Sequence, residues 1–117
     1  MDTLQIGVDS DKEKIVIHLR GRISIETSPD VRVLLLTTLH RQNPPATIAI
    51  DLAAVTYMDT SGLATLIEGL KFARLGRVAM RLQGLQGRLC HLFQATGIGS
   101  LFDTAGPADN PSRPMVS

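Results

Sequence analysis

The chain has 117 residues, 44% of them hydrophobic, and its 12 Lys and Arg against 11 Asp and Glu leave a formal net charge of +1. That length suits one domain with one core, and the near-balance of charge gives no electrostatic footprint for nucleic acid or an anionic membrane. With no Trp and one Tyr the core must be aliphatic, and the single cysteine, Cys90, excludes an internal disulfide and a paired-cysteine zinc site.

The opening MDTLQIGVDSDKEK carries acids and no long apolar run. It reads as neither a signal peptide nor a membrane span, so the expectation is a cytoplasmic protein without direct membrane insertion. Leu4, Ile6 and Val8 alternate with Gln5 and Gly7, and after the polar turn Asp9–Lys12 the alternation resumes with Ile15, Ile17 and Leu19. Two alternating strands joined by a short polar turn predict an antiparallel hairpin, ended by Gly21. Ser28-Pro29-Asp30 then reads as a helix start, with Ser28 as N-cap and Pro29 in the first turn. Val31, Leu34, Leu35 and Leu39 form its stripe, and Val33 and Leu36 widen it toward burial over much of the girth. Asn43-Pro44-Pro45 stops it, because Pro lacks the N–H.

Ile48-Ala49-Ile50-Asp51-Leu52 reads as a strand buried on both faces, followed by a short link. A helix after Ser61 carries Leu63, Leu66, Ile67 and Leu70 on one stripe and runs to about Arg74. Gly76 is its C-terminal signal, and Lys71 and Arg74 suit the negative end of the dipole. Val78, Met80 and Leu82 alternate with Arg77, Ala79 and Arg81 in a strand with one wetter face. Leu85, Leu89, Leu92 and Phe93 form a last helical stripe closed by Gly97, and Leu101-Phe102 is a short apolar anchor. Thr104 to Ser117, rich in Pro, Ala and Ser, reads as a disordered tail. No internal repeat is visible. The order β-β-α-β-α-β-α predicts a mixed sheet whose parallel part is made by right-handed crossovers.

A polar tetrapeptide, Asp59-Thr60-Ser61-Gly62, sits where the central strand hands over to a helix. Taken alone it reads first as a capping segment, worth about 1 kcal/mol. An aspartic-protease triplet is set aside, because Ser61 interrupts Asp-Thr-Gly in a helical context. A nucleophile elbow needs glycines two places either side of the serine; Asp59 and Leu63 stand there instead. His18, His40 and His91 are not placed near Ser61 by the sequence, so a triad is not expected. Gly84-Leu85-Gln86-Gly87 matches a nucleic-acid-binding GxxG in letters but reads as a tight turn before the last helix. Cys90 reads as a small core residue, and Arg77, Arg81 and Arg88 as a solvated face.

The hairpin with Gly21-Arg22-Ile23, the strand IAIDL, the stretch Met58-Asp59-Thr60-Ser61-Gly62-Leu63 and the late Leu92-Phe93, Thr96-Gly97 and Leu101-Phe102 together resemble the STAS domain of bacterial anti-sigma-factor antagonists, from about Leu4 to Phe102. The resemblance implies a single α/β domain over residues 1–103, with residues 104–117 as the tail. Its sheet would be mixed and four- to five-stranded, an antiparallel N-terminal hairpin followed by β-α units, with helices mainly on one side. It implies a switch rather than an enzyme, with no catalytic residue, metal or cofactor. Its partners would be an anti-sigma factor that is also a serine-protein kinase and a PP2C-type phosphatase. The kinase would modify Ser61, or alternatively Thr60, and so release the antagonist. Asp59, Thr60, Ser61, Gly62 and Leu63, with Ser24 and Glu26, would form the partner-binding surface. Ser24 stands where many antagonists carry an acid, and Glu26 follows two residues on.

Similar domains also serve as small subunits of ABC-type phospholipid or anion transport systems. By that resemblance, Thr60 or Ser61 would contact the transporter ATPase. A phosphate adds about −1.5 to −2 charges, and at a helix N-terminus it meets the dipole favourably. The expected mechanism is therefore release by surface charge on an unchanged fold.

Overall fold

The computed structural model describes residues 3–96 and 103–105. Eight elements follow in order: β1 (Leu4–Asp11), β2 (Lys14–Ile23), α1 (Ser28–Leu39), β3 (Thr47–Met58), α2 (Thr60–Leu75), β4 (Ala79–Gln83), α3 (Gly87–Thr96) and β5 (Asp103–Ala105). They build one five-stranded sheet in the order β1-β2-β3-β4-β5. The short turn after Asp11 folds β1 back antiparallel on β2, while β2, β3, β4 and β5 run parallel. Parallel neighbours need a crossover of a dozen or more residues, and the helices supply it.

Alternation decides which face is buried. Ile15 and Ile17 of β2 lie in register with Ile48 and Ile50 of β3, which pair in turn with Met80 and Leu82 of β4, and Leu19 of β2 is buried with them. Onto this aliphatic face come Val31, Leu35 and Leu39 of α1, Leu63, Leu66, Leu70 and Ala73 of α2, and Leu89 and Phe93 of α3, in one cluster. The helices therefore gather on one side, as expected. The other face carries Val16, His18, Asp51 and Arg81, which are half-buried or exposed. There His18 bonds Asp51 at 2.8 Å through Nδ1 and Asp9 at 2.9 Å through Nε2, tying β1, β2 and β3 together. α1 and α2 are also clipped at their surface by Arg32, whose Nε and Nη2 donate to Glu68 at 2.6 and 3.2 Å.

Several expectations need correction. The link expected after Leu52 is strand: β3 continues to Met58, past two register irregularities against β2. Its Ala49 is buried on the outer face, but Asp51 is only half-buried, so the two-sided burial stops there. Thr27, not Ser28, is the N-cap of α1, and no side-chain bond caps that helix. The Thr27 hydroxyl is instead committed to the turn before it, accepting from Ser24 N–H and donating to Arg22 C=O. Val33 is 57% exposed, so α1 buries a narrower stripe than expected. Cys90 is half-buried rather than in the core. The boundary expected at residue 104 falls inside β5. Gly97, Leu101-Phe102 and residues 106–117 lie outside the described residues.

Candidate functional site

The carboxyl end of β3 is set by Met58, which is buried and pairs with Ile23 of β2. Asp59 N–H donates to Ile23 C=O at 3.1 Å, the last rung before the chain turns. Asp59 itself is extended, with φ −105° and ψ −172°, the usual geometry of an N-cap. Its Oδ1 accepts from Ser61 N–H at 3.0 Å, from Gly62 N–H at 3.1 Å and from the Ser61 hydroxyl at 2.6 Å. Two N–H groups that a helix start leaves unpaired are thereby satisfied. The second oxygen, Oδ2, accepts from Ile25 N–H at 3.2 Å, so one carboxylate joins the start of α2 to the turn between β2 and α1.

Gly62 allows the first turn of α2 to lie against the strands. A Cβ there would stand 2.7 Å from Met58 Cγ and 2.8 Å from Ile23 Cγ2. Leu63 follows into the core. Thr60 is exposed, and Ser61 is half-buried. The Ser61 hydroxyl lies between Asp59 and the buried Ser28, whose Oγ donates to it at 3.5 Å. Asp59, Thr60 and Ser61 thus form the surface of the site, while Gly62 and Leu63 support it from beneath.

The structure treats Ser24 and Glu26 differently. Ser24 is 4% exposed, and its Oγ accepts from Glu26 N–H at 3.2 Å, so the side chain builds the turn. Glu26 is exposed. Ile25, between them, points outward and is 74% exposed. Reading from sequence missed Ile25. Ile23 and Ile25 continue the β2 alternation in letters, but β2 ends at Ile23 and the turn carries Ile25 to the surface. The signal was the run Ser24 to Thr27, whose hydroxyls and acid favour a turn.

The Ser61 hydroxyl bond holds the Asp59 carboxyl below its ordinary value, helped by the N–H groups of Gly62, Ile25 and Ser61 and opposed by partial burial. Asp59 therefore stays an anion at neutral pH. Two of the three histidines are occupied elsewhere, His18 with Asp9 and Asp51 and His40 edge-on to Phe72, and His91 is exposed on α3. Gly84-Leu85-Gln86-Gly87 is the turn before α3, with positive φ at both glycines. Among the described residues no cluster of three metal-ligating side chains occurs, and no helix is long and apolar enough to cross a membrane. A helix amino end bearing an anionic cap, one half-buried serine hydroxyl and one exposed threonine can accept or read a phosphate.

A family model described as the STAS domain matches residues 5–108. The chain belongs to the STAS domain family. Among curated relatives of this STAS domain, the anti-sigma-B factor antagonist of Listeria monocytogenes is 30% identical over 95 residues, covering 81% of this chain and 82% of the relative. That of Bacillus subtilis is 24% identical over 106 residues, covering 91% and 94%. In three dimensions the STAS domain superposes on the phosphorylated form of the Bacillus cell fate determinant SpoIIAA, with a TM-score of 0.69 at 19% identity, covering 86% of this chain and 91% of that one. The five-stranded mixed sheet is thus the fold of a family that includes antagonists of anti-sigma factors.

Proposed function

We propose that this STAS domain is an anti-sigma-factor antagonist working as a phosphorylation-controlled switch. The unmodified chain binds an anti-sigma factor that is also a serine kinase. Transfer of a phosphoryl group to Ser61 releases it, and a PP2C-type phosphatase restores the bare hydroxyl. The chain itself catalyses nothing and works in the cytoplasm.

The observation that carries this reading is the placing of Ser61 Oγ, half-buried at the amino end of α2 and held by Asp59. A phosphate built there faces the positive end of the helix dipole, so the fold tolerates it. It also adds charge beside an existing carboxylate and takes away the hydroxyl donor that Asp59 uses. The relatives named as anti-sigma-B factor antagonists support the partner class. A neighbour solved as a phosphorylated form supports the compatibility of the fold with that modification.

Incubation with ATP and each serine-kinase anti-sigma factor of the source bacterium, followed by peptide mass spectrometry, tests it. One phosphate on Ser61, absent in Ser61→Ala, is the expected result. Its absence with every kinase overturns the reading. The exposure of Thr60 favours one second reading, a small subunit that docks on an ABC transporter ATPase through that hydroxyl. It predicts binding to such an ATPase that Thr60→Ala weakens and that no phosphate is needed to control.

A further inference from the structure

Resting on the reading of this site as a partner switch, we infer that Ile25 is the apolar anchor by which the unmodified chain grips its anti-sigma factor, and that it seats in an apolar socket of that protein. The turn carrying it is tied down from within. Ser24 C=O accepts from Thr27 N–H at 3.1 Å and from Ser28 N–H at 2.7 Å. Ser24 N–H donates to Thr27 Oγ1 at 2.9 Å, and that hydroxyl donates to Arg22 C=O at 2.8 Å. Glu26 N–H is taken by Ser24 Oγ, and Ile25 N–H by Asp59 Oδ2. A turn bonded in this way surrenders little freedom when a partner closes over it.

The Ile25 side chain projects into solvent from this rigid turn, whereas Ile23 two residues earlier is buried. Burial is what makes a large aliphatic side chain stabilising, and Ile25, mostly exposed, contributes little of it to the fold. Held out on a pre-ordered turn, such a side chain gains its burial only when a partner covers it, and at little ordering cost.

The chemistry of the socket follows from the switch. Ile25 and Ser61 bond opposite oxygens of the Asp59 carboxylate, so a phosphate on Ser61 would stand beside the anchor. A cation-lined surface would hold that phosphate and tighten the complex, the reverse of release. A dry apolar socket cannot close over a hydrated dianion, so modification expels the partner.

Isothermal titration of each purified serine-kinase anti-sigma factor of the source bacterium against wild type, Ile25→Ala and Leu75→Ala tests the assignment. Leu75, 81% exposed at the far end of α2, controls for loss of an exposed leucine elsewhere. Ile25→Ala is expected to bind about tenfold more weakly or worse, with Leu75→Ala matching wild type and both variants melting as wild type does. Raising the salt from about 0.05 to 0.5 M is expected to leave the wild-type affinity nearly unchanged. Ile25→Ala binding as well as wild type, or an affinity that collapses with salt, overturns the anchor while the switch stands. Failure of wild type to bind any of these factors overturns the switch itself, and the anchor with it.

Discussion

Asp59 Oδ1 receives the Ser61 hydroxyl at 2.6 Å while Asp59 Oδ2 receives Ile25 N–H at 3.2 Å, so a single carboxylate reads a side chain on one element and fixes the backbone of another. Removing it has two costs. Asp59→Ala deletes the α2 cap, about 1 kcal/mol, and leaves the Ile25 amide without its partner. We expect a lower melting temperature together with faster amide hydrogen exchange at Ile25, whereas Thr60→Ala should alter neither.

The same carboxylate carries an acid signature. Its pKa is lowered on folding, so its contribution is present above the ordinary carboxylate value and is lost as pH falls through the folded value. The stability difference between wild type and Asp59→Asn should be full at neutral pH and shrink in that acid window. A difference that stays constant to low pH would show that Asp59 is not an ionised cap.

Ser61→Asp should leave the fold nearly intact. The new charge gains from the helix dipole, about 0.3–1 kcal/mol, and loses a comparable amount to repulsion from Asp59. Calorimetry is expected to place its midpoint within a few degrees of wild type, with anti-sigma-factor binding lost. A large drop in midpoint would mean that the modification acts by unfolding the site.

Gly62→Ala and Gly69→Ala separate two roles for helical glycine. Alanine gains about 1 kcal/mol of helix propensity at either place. At Gly62 the new methyl meets Met58 Cγ and Ile23 Cγ2 inside 3 Å, an overpacking that costs about 1–3 kcal/mol. At Gly69 the nearest atom, 2.8 Å away, is the terminal Leu35 Cδ1, which a small rotation can move. Denaturant titration should find Gly62→Ala destabilised and Gly69→Ala near wild type.

His18 gives the opposite pH dependence to Asp59. Hydrogen bonds to Asp51 and then to Asp9 raise its pKa, opposed by desolvation. Its contribution is therefore complete below the ordinary histidine value of 6.5 and is lost as pH rises through the higher folded value. NMR titration of the ring should show the raised pKa, and His18→Gln should flatten the loss of stability on the alkaline side.

Periodicity made most of the fold legible. The β2 alternation and the α2 stripe matched the burial found, because in those segments one face meets the core and the other meets water. The second half of β3 was hidden: Ala53, Ala54, Thr56 and Tyr57 are exposed there, so burial writes no pattern into the letters. Cross-strand polar contacts were equally unreadable, since Asp9, His18 and Asp51 come from three strands and meet only once the register is set. The site was half legible. Asp59 and Ser61 follow from local capping chemistry; the inward turn of Ser24 rests on bonds within its own turn that no hydropathy pattern encodes, and Ile25 is fixed by a bond from its N–H to Asp59, far away in sequence.

The pairing of Ile23 with Met58 has a bearing on biosynthesis. β2 and β3 join in parallel across a whole intervening helix, and such distant contacts form late. A chain still emerging from the ribosome can close its first hairpin, yet it holds no carboxylate to seat Ile25 until residue 59 has cleared the tunnel and β3 has docked. If Ile25 is the anchor proposed above, copies still under synthesis would bind an anti-sigma factor only weakly.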